Sequence, residues 1–305
     1  MKIVFHVGAP KTATTSLQHA FKDARKQLLR EGVSYIPTNR VRNSDFGEAL
    51  RDETPTLFGH VSRREVRKFL EPWIEKGASQ VLISEEGWTN YLIHPRKRGQ
   101  WARQAPRTFR ILKHFRDYDF RVVLTIRRQD SYVLSCYAHL VRHGRVFVPF
   151  EKFWRESWNL ETMSWLAFIE AFRKEYGADR LVVLPYEHIR DDFPTYMRLF
   201  LEQACGIPAE RLADVEPAVS ELNLAMSPLA IDIAQIVNRH LNEELPGHRL
   251  KSLIKDIRLL IPPGEFGRFS PPMDELRETL AGLFAEENRR LNADYVARPH
   301  AGFEF

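Results

Sequence analysis

The stretch FHVGAPKTATTSLQHAF, residues 5–21, decides how this chain is read. It opens on apolar residues typical of a strand, breaks at Gly8-Ala9-Pro10, and resumes with Leu17, Ala20 and Phe21 at helical spacing. A strand that runs directly into a helix leaves backbone N–H groups without partners at the helix N-terminus, and the helix dipole adds partial positive charge there. The ligand such a turn suits is an anion. Lys11, Thr12, Thr14, Thr15 and Ser16 crowd donors into the same turn.

Outward from this stretch, strands and helices alternate. Short β-branched runs predict strands at Lys2 to Val7, Val33 to Ile36, Val81 to Ser84, Arg121 to Arg127 and Leu181 to Pro185. Between them lie helical stripes. They are Leu17, Ala20, Phe21, Ala24 and Leu28; Val66, Phe69, Leu70, Trp73 and Ile74, opened by a Ser62–Glu65 capping box; Val133, Tyr137, Leu140 and Val141; and Trp165, Phe168, Ile169, Phe172 and Tyr176. Near-continuous apolar strands between amphipathic helices predict an α/β fold: three layers, a mainly parallel central sheet, and additional C-terminal helices. Ser227-Pro228 and Ser270-Pro271 predict the starts of two of those helices. The expected organisation is one domain over 1–305, an α/β core over 1–190 with a mostly helical extension over 191–305 packed on it. The stretch from Thr38 to Gly59 and the basic run Arg96 to Arg110 are the least regular.

The chain has 305 residues, 44% of them hydrophobic, enough for a sizeable core. Its 45 basic and 40 acidic residues leave a net charge of +5, which suits anionic ligands and is too mild to imply nucleic acid. Two cysteines, Cys136 and Cys205, argue against a disulfide framework or a thiolate metal site. The first strand leaves no room for a signal peptide, and no apolar run approaches the roughly 20 residues of a membrane span. A cytoplasmic protein without a membrane span is expected, its oligomeric state open.

Set against the triphosphate-binding pattern G-x-x-x-x-G-K-[ST], the opening stretch fits poorly. Counted from Gly8, Ala13 falls on the second glycine, Thr14 on the lysine and Thr15 on the hydroxyl, and the lysine stands three residues early, at Lys11. The Arg121 strand ends in Arg127-Arg128 rather than in the acidic residue that helps hold Mg²⁺ in such enzymes. Only Glu85 and Glu86 could substitute. The turn reads as a phosphate site without a metal.

PKTATTSLQ resembles the 5'-phosphosulfate loop, P-K-T-G-T-T-x-L, of sulfotransferases that use 3'-phosphoadenosine 5'-phosphosulfate (PAPS). LTIRRQDSYVLSCY agrees with it: Arg127 and, eight residues on, Ser135 match that family's 3'-phosphate pair. PYEHIRDDF, ELNLAMSP and FSPPMDELRETLAGLFAEENRRLNADY extend the resemblance to bacterial, carbohydrate or heparan-type members over most of the chain. It implies a P-loop-like fold, PAPS as co-substrate with 3',5'-ADP as product, no metal, and an acceptor that is a glycan or small metabolite, sulfated on a hydroxyl or an amine. Donor binding would fall to Pro10, Lys11, Thr12, Ala13, Thr14, Thr15, Ser16, Arg127, Ser135 and Arg268. A guanidinium plus a hydroxyl is a fitting receptor for a phosphate dianion, and Lys11, the one full charge in the loop, can answer charge growing on a leaving phosphate. The resemblance further implies that Ser135 restrains Lys11 until acceptor arrives. Ala13 departs from the family's glycine, and its methyl requires a negative φ there.

An acceptor hydroxyl gains from a base within reach. In VLISEEGWTNYL, Glu86 with Tyr91 resembles the heparan-type catalytic glutamate and its tyrosine, while Gly87 replaces the family's lysine. Glu86 is the expected base; Glu85, His114, His60 and His6 stay open. Plainer readings stand beside these: a helix-capping role for Glu86, a surface position for Arg128, core packing for Trp154, Trp158, Trp165 and Cys136, and a solvated face for Arg96, Lys97, Arg98, Arg103, Arg107 and Arg110. The alternative functions are a P-loop-type nucleotide or small-molecule kinase and a basic nucleic-acid-binding module.

Overall fold

A computed structural model describes residues 1–9, 11–44, 47, 63–74, 77–85, 108–109, 112–212, 225–241 and 243–305. Its strands are β1 (Lys2–His6), β2 (Val33–Ile36), β3 (Gln80–Ser84), β4 (Asp119–Ile126) and β5 (Leu181–Pro185). They form one five-stranded sheet in the order β2-β3-β1-β4-β5, every pair parallel. The described helices are α1 (Thr14–Asp23), α2 (Arg25–Arg30), α3 (Thr38–Arg42), α4 (Arg63–Ile74), α5 (Gln129–Arg142), α6 (Phe150–Ser157), α7 (Trp165–Tyr176), α8 (Glu187–Asp191), α9 (Phe193–Cys205), α10 (Pro228–Leu241), α11 (Gly247–Leu260), α12 (Pro263–Phe266) and α13 (Asp274–Asp294). No described helix is long and apolar enough to cross a membrane.

Alternation along each strand sends neighbouring residues to opposite faces, and both faces are covered. Ile3, Phe5, Val81, Ile83, Val122, Leu124 and Val183 join one core with α4, α5 and α7. Val4, Leu82, Val123 and Leu184 join the other, with Leu17, Ala20 and Phe21 of α1 and Tyr196, Met197 and Phe200 of α9. The three layers follow from this. The helix after β1 therefore packs on one face and the helix after β4 on the other, although β1 and β4 are neighbours. Adjacent strands whose connections diverge in this way open a crevice at their carboxyl ends, where ligands of open α/β sheets bind.

Helix boundaries differ from the sequence expectation in two places. The Leu17–Leu28 stripe is broken at Ala24, whose ψ of 2° separates α1 from α2. Ser227 caps α10 as expected, its hydroxyl accepting from the Ala230 N–H at 3.2 Å. Ser270-Pro271 does not start a helix, and α13 begins at Asp274. Pro271 precedes Pro272, and a residue before proline is pushed out of the helical region. Ser62 of the expected capping box lies outside the described residues.

The start of α5 is tied to the chain's last segment. The Asp130 carboxylate, 1% exposed, accepts from Arg128 Nε and Nη2 at 2.8 and 3.0 Å and from Arg277 Nε of α13 at 3.1 Å. Arg128, expected at the surface, is instead half-buried and also donates to the Gly302 and Glu304 carbonyls. Gln129 and Asn288 exchange side-chain hydrogen bonds at 3.1 and 2.9 Å. Burial works against the Asp130 charge, but the hydrogen bonds and charge of Arg128, with the Ser131 N–H and Arg277, hold its carboxyl below the usual range. Asp130→Ala strands two arginines and is expected to destabilise the fold by about 3 kcal/mol or more in a denaturant melt. Because the folded carboxyl titrates below its unfolded value of about 3.9, its contribution is complete above that pH and fades as pH falls through the lowered value. Melts of Asp130→Asn should lack that part of the acid transition, and an unchanged acid limb would show that Asp130 does not carry it.

Candidate active site

The loop between β1 and α1 stays paired to β4 as it leaves the sheet: Val7 N–H donates to the Val123 carbonyl at 3.0 Å and Ala9 N–H to that of Thr125 at 3.3 Å. It then turns sharply. Thr12 Oγ1 donates back to the Ala9 carbonyl at 2.5 Å, and Lys11 and Ala13 take left-handed conformations at φ 67° and 58°. A Cβ on Gly8 would stand 2.7 Å from His6 Nε2, 3.0 Å from Thr14 Oγ1 and 3.1 Å from Thr12 Oγ1, so only glycine fits beneath the turn. No side chain caps α1, and no acidic residue sits in its first turn. Thr14 Oγ1 is buried without a hydrogen-bond partner. An uncapped N-terminus, an orphaned hydroxyl and Lys11 beside them are the donor set of a phosphate receptor, and the residues present fit such a group.

Ala13 does not meet the negative φ that its methyl requires; at φ 58°, ψ 26° it caps α1 from the left-handed region. A glycine would take this conformation without the cost of a methyl.

Arg127, at the tip of β4, reaches across to this loop. Its Nη1 donates to the Lys11 carbonyl at 2.8 Å, its Nε to Ser131 Oγ at 2.8 Å, and its guanidinium lies 4.2 Å over the Tyr186 ring. Trp165 Nε1 holds the Arg127 carbonyl at 2.8 Å. Glu187 accepts from the Arg128 N–H at 3.0 Å, and burial raises its carboxyl pKa. The hydroxyl that Arg127 bonds is thus Ser131, one turn before Ser135. Ser131, Ser135 and His139 are spaced i, i+4, i+8 along α5 and share a face.

That face meets Lys11 at its far end. Lys11 Nζ lies 3.2 Å from His139 Nδ1, and Arg142 Nη2 lies 3.4 Å from the same nitrogen. Both neighbours only donate, so Nδ1 is the bare nitrogen and Nε2 carries the proton. Burial, with Lys11, His143, Arg142 and Arg145 around it, pushes His139 down to about 2, and it is neutral at working pH. The described contact of the Lys11 ammonium is thus with His139, one turn beyond Ser135. Sequence reasoning missed His139, although one further turn of the helix from Ser135 points to it.

Of the base candidates, Glu86 and His60 lie outside the described residues, as do Pro10, Tyr91, Arg96, Lys97, Arg98, Arg103, Arg107 and Arg110. Glu85 is buried in a bidentate pair with Arg42, at 2.9 and 2.7 Å. His6 bridges strands inside the sheet, with Nδ1 2.9 Å from Ser84 Oγ and Nε2 3.4 Å from Thr125 Oγ1, and burial pushes it down to about 3. His114 lies in the turn entering β4, at the amino-terminal edge of the sheet. Thr15 and Ser16 stand half-exposed in the first turn of α1. Arg268 is exposed, next to Phe269, which stacks on Tyr137 and lines an open cleft of about 530 Å³ with Phe150, Trp154 and Gln235. Trp154, Trp165 and Cys136 are buried in the core.

No protein-family model matches the chain, and no curated protein matches it. Among solved structures it is similar to a sulfotransferase from Alicyclobacillus acidocaldarius, with 19% identity and a TM-score of 0.44 over 83% of this chain and 95% of that one. At that distance the likeness says nothing about substrate.

The left-handed Ala13 generates a stability test. A non-glycine residue there costs about 1–2 kcal/mol, offset by the ~0.4–1 kcal/mol of extra unfolded-state entropy a glycine brings. Ala13→Gly is expected to raise Tm by about 1–3 °C, and Ala13→Val to lower it. A lower Tm for the glycine variant would mean that the loop does not hold a left-handed residue in solution.

Proposed function

We propose that this chain is a PAPS-dependent sulfotransferase, moving a sulfuryl group to a hydroxyl or amine of a glycan or small metabolite. The observation that carries the reading is the turn at Gly8–Ala13, where the uncapped N-terminus of α1 and the orphaned Thr14 hydroxyl leave donors unmet at the β1/β4 crevice, with Lys11 in the same turn. The kinase pattern fails at this turn, because the lysine precedes the helix and β4 is followed by Arg127-Arg128 rather than by an acidic residue.

In this reading the loop amides of Thr12 to Ser16, with the Thr14 hydroxyl, hold the 5'-phosphate. Arg127, whose Nη2 is not used in the clamp on Lys11 and Ser131, takes the 3'-phosphate with the Ser135 hydroxyl, and Arg268 joins from its late loop. The donor supplies an activated sulfuryl group on a stable phosphate leaving group. Lys11 answers the charge that grows on that phosphate as the bond to sulfur breaks. His139, neutral and accepting, parks the ammonium beside the site and keeps it clear of the crevice until acceptor binds. Glu86, two residues after the end of β3 in sequence, takes the acceptor proton.

The first test is ligand-induced stabilisation. At about 100 times its Kd, 3',5'-ADP should add roughly 2.7 kcal/mol and raise Tm on the order of 5 °C without added metal. ATP with Mg²⁺ should do less, and a larger shift with it would favour a kinase.

A second test separates leaving-group from nucleophile chemistry. Lys11→Ala should weaken 3',5'-ADP binding about tenfold and slow transfer by roughly a hundred-fold or more, because its interaction strengthens in the transition state. Glu86→Gln should slow transfer to a similar degree while leaving nucleotide affinity unchanged. Wild-type turnover by Glu86→Gln would place the base elsewhere.

A further inference from the structure

The carboxyl-terminal end of α5 gathers positive charge. His139, Arg142 and His143 follow Ser135 on α5, and Arg145 lies just beyond the helix. The His139 and His143 rings are 4.0 Å apart, and His143 Nδ1 donates to the His139 carbonyl at 2.8 Å. Gly144, at φ 71°, lets α11 come close: a Cβ there would meet Leu250 Cδ2 at 2.4 Å. Asn238 of α10 pins the same turn by donating to the Val141 and Val146 carbonyls at 2.8 and 3.0 Å. Lys251 and Arg258, seven residues apart on one stripe of α11, are thereby brought to α5. Arg258 Nε is buried without a hydrogen-bond partner.

Cations at a helix C-terminus are ordinary, since the dipole places roughly half a negative charge there. Here that half charge is met by the four formal positive charges of Arg142, Arg145, Lys251 and Arg258. Among the described residues, the side chains of Arg142, Arg145, Lys251 and Arg258 have no carboxylate partner, nor any further hydrogen bond or ion pair beyond that of Arg142 with His139. Burial and the mutual repulsion of these groups lower the pKa of Arg142 and of His143. Like charges held together without a described counter-charge, Arg142 and Arg258 partly buried and Arg145 and Lys251 exposed, destabilise a fold, and an anionic ligand is what relieves them.

We propose that the carboxyl end of α5 and the facing stripe of α11 form a second anion site, beside Lys11, that receives a sulfate, phosphate or carboxylate group borne by the acceptor. It rests on the sulfotransferase reading for the word acceptor and on the cluster itself for the anion. The consequence for substrate class is that the acceptor is itself acidic: one anionic group on Arg142 and Arg258, with the hydroxyl or amine to be sulfated turned toward Lys11.

The test saturates the Lys11 loop with 3',5'-ADP and then titrates inorganic sulfate, a heparin-derived sulfated disaccharide, its unsulfated uronate counterpart and neutral maltose, by calorimetry. Wild type is expected to bind the anionic probes and not maltose, the two disaccharides reporting whether sulfate or carboxylate is preferred. Arg142→Gln and Lys251→Gln should each weaken anion binding about tenfold, leave 3',5'-ADP affinity within about twofold, and leave Tm equal or higher, because a repulsive charge is removed. Absence of anion binding in wild type, or equal binding by both variants, would overturn the site. So would a clear fall in Tm for both variants without loss of anion affinity, since the cations would then be helix caps. If wild type fails to bind 3',5'-ADP, the donor reading falls instead, and sulfate binding by wild type against Arg142→Gln and Lys251→Gln still judges the α5–α11 site by itself.

Discussion

The 2.8 Å hydrogen bond from Arg127 to the Lys11 carbonyl is the contact on which the site depends. It joins the tips of β1 and β4, the two strands whose helices part to opposite faces, and it falls on one of the two described residues other than glycine with positive φ. A left-handed lysine is not a conformation the chain adopts unaided. A charged donor fixed at three points, by Ser131, by Lys11 and by the Tyr186 ring, supplies the holding force. Arg127 thus shapes the receptor before it meets any ligand, and its proposed contact with the 3'-phosphate uses only what the clamp leaves over.

The helix that follows carries this arrangement outward. One side of α5, through Tyr132, Val133, Cys136, Tyr137 and Leu140, is locked into the core. Its first turn is anchored through Asp130 and Gln129 to α13 and the C-terminal residues. With its axis fixed at both ends and along its buried side, the remaining stripe of Ser131, Ser135 and His139 has no freedom to drift from the loop. The last helix of the chain, remote in sequence from residues 8–16, therefore bears on their geometry through a rigid element.

Much of this was legible in the sequence. All five strands, the parallel sheet and the helical stripes follow from β-branched runs buried on two faces, a pattern few other folds tolerate. The positions of Lys11 and Arg127 at strand ends followed equally from local spacing. What the sequence hid depends on tertiary geometry. Whether Arg127 bonds Ser131 or Ser135 is a question of one helical turn, and both hydroxyls satisfy the spacing. Helical spacing puts His139 on the face of Ser135, but its contact with Lys11 depends on the direction in which that side chain leaves the loop. Arg128 looks like a surface residue until the tail carbonyls 174 and 176 positions away close over it. The start of α13 was displaced by a Pro-Pro pair whose steric rule was readable but competed with a stronger capping signal.

Ala13 and the α5–α11 cations share a logic. Each is a place where the fold keeps an unfavourable arrangement, a methyl in glycine's conformation in one case and like charges without a described carboxylate partner in the other, and Lys11 links them, beside Ala13 in the loop and 3.2 Å from His139 of α5. Natural chains shed such features where nothing requires them, because single substitutions that relieve them are readily found. The charge cluster has an evident use, since its repulsion becomes attraction once an anion arrives. The methyl at Ala13 has a narrower one: alanine in the left-handed region has fewer alternative conformations than glycine, so the loop that cradles the anion loses less freedom when it is ordered. Strain in the free loop and order in the bound one then come from the same carbon atom, which ties the modest stability lost at Ala13 directly to the preorganisation of the phosphate site.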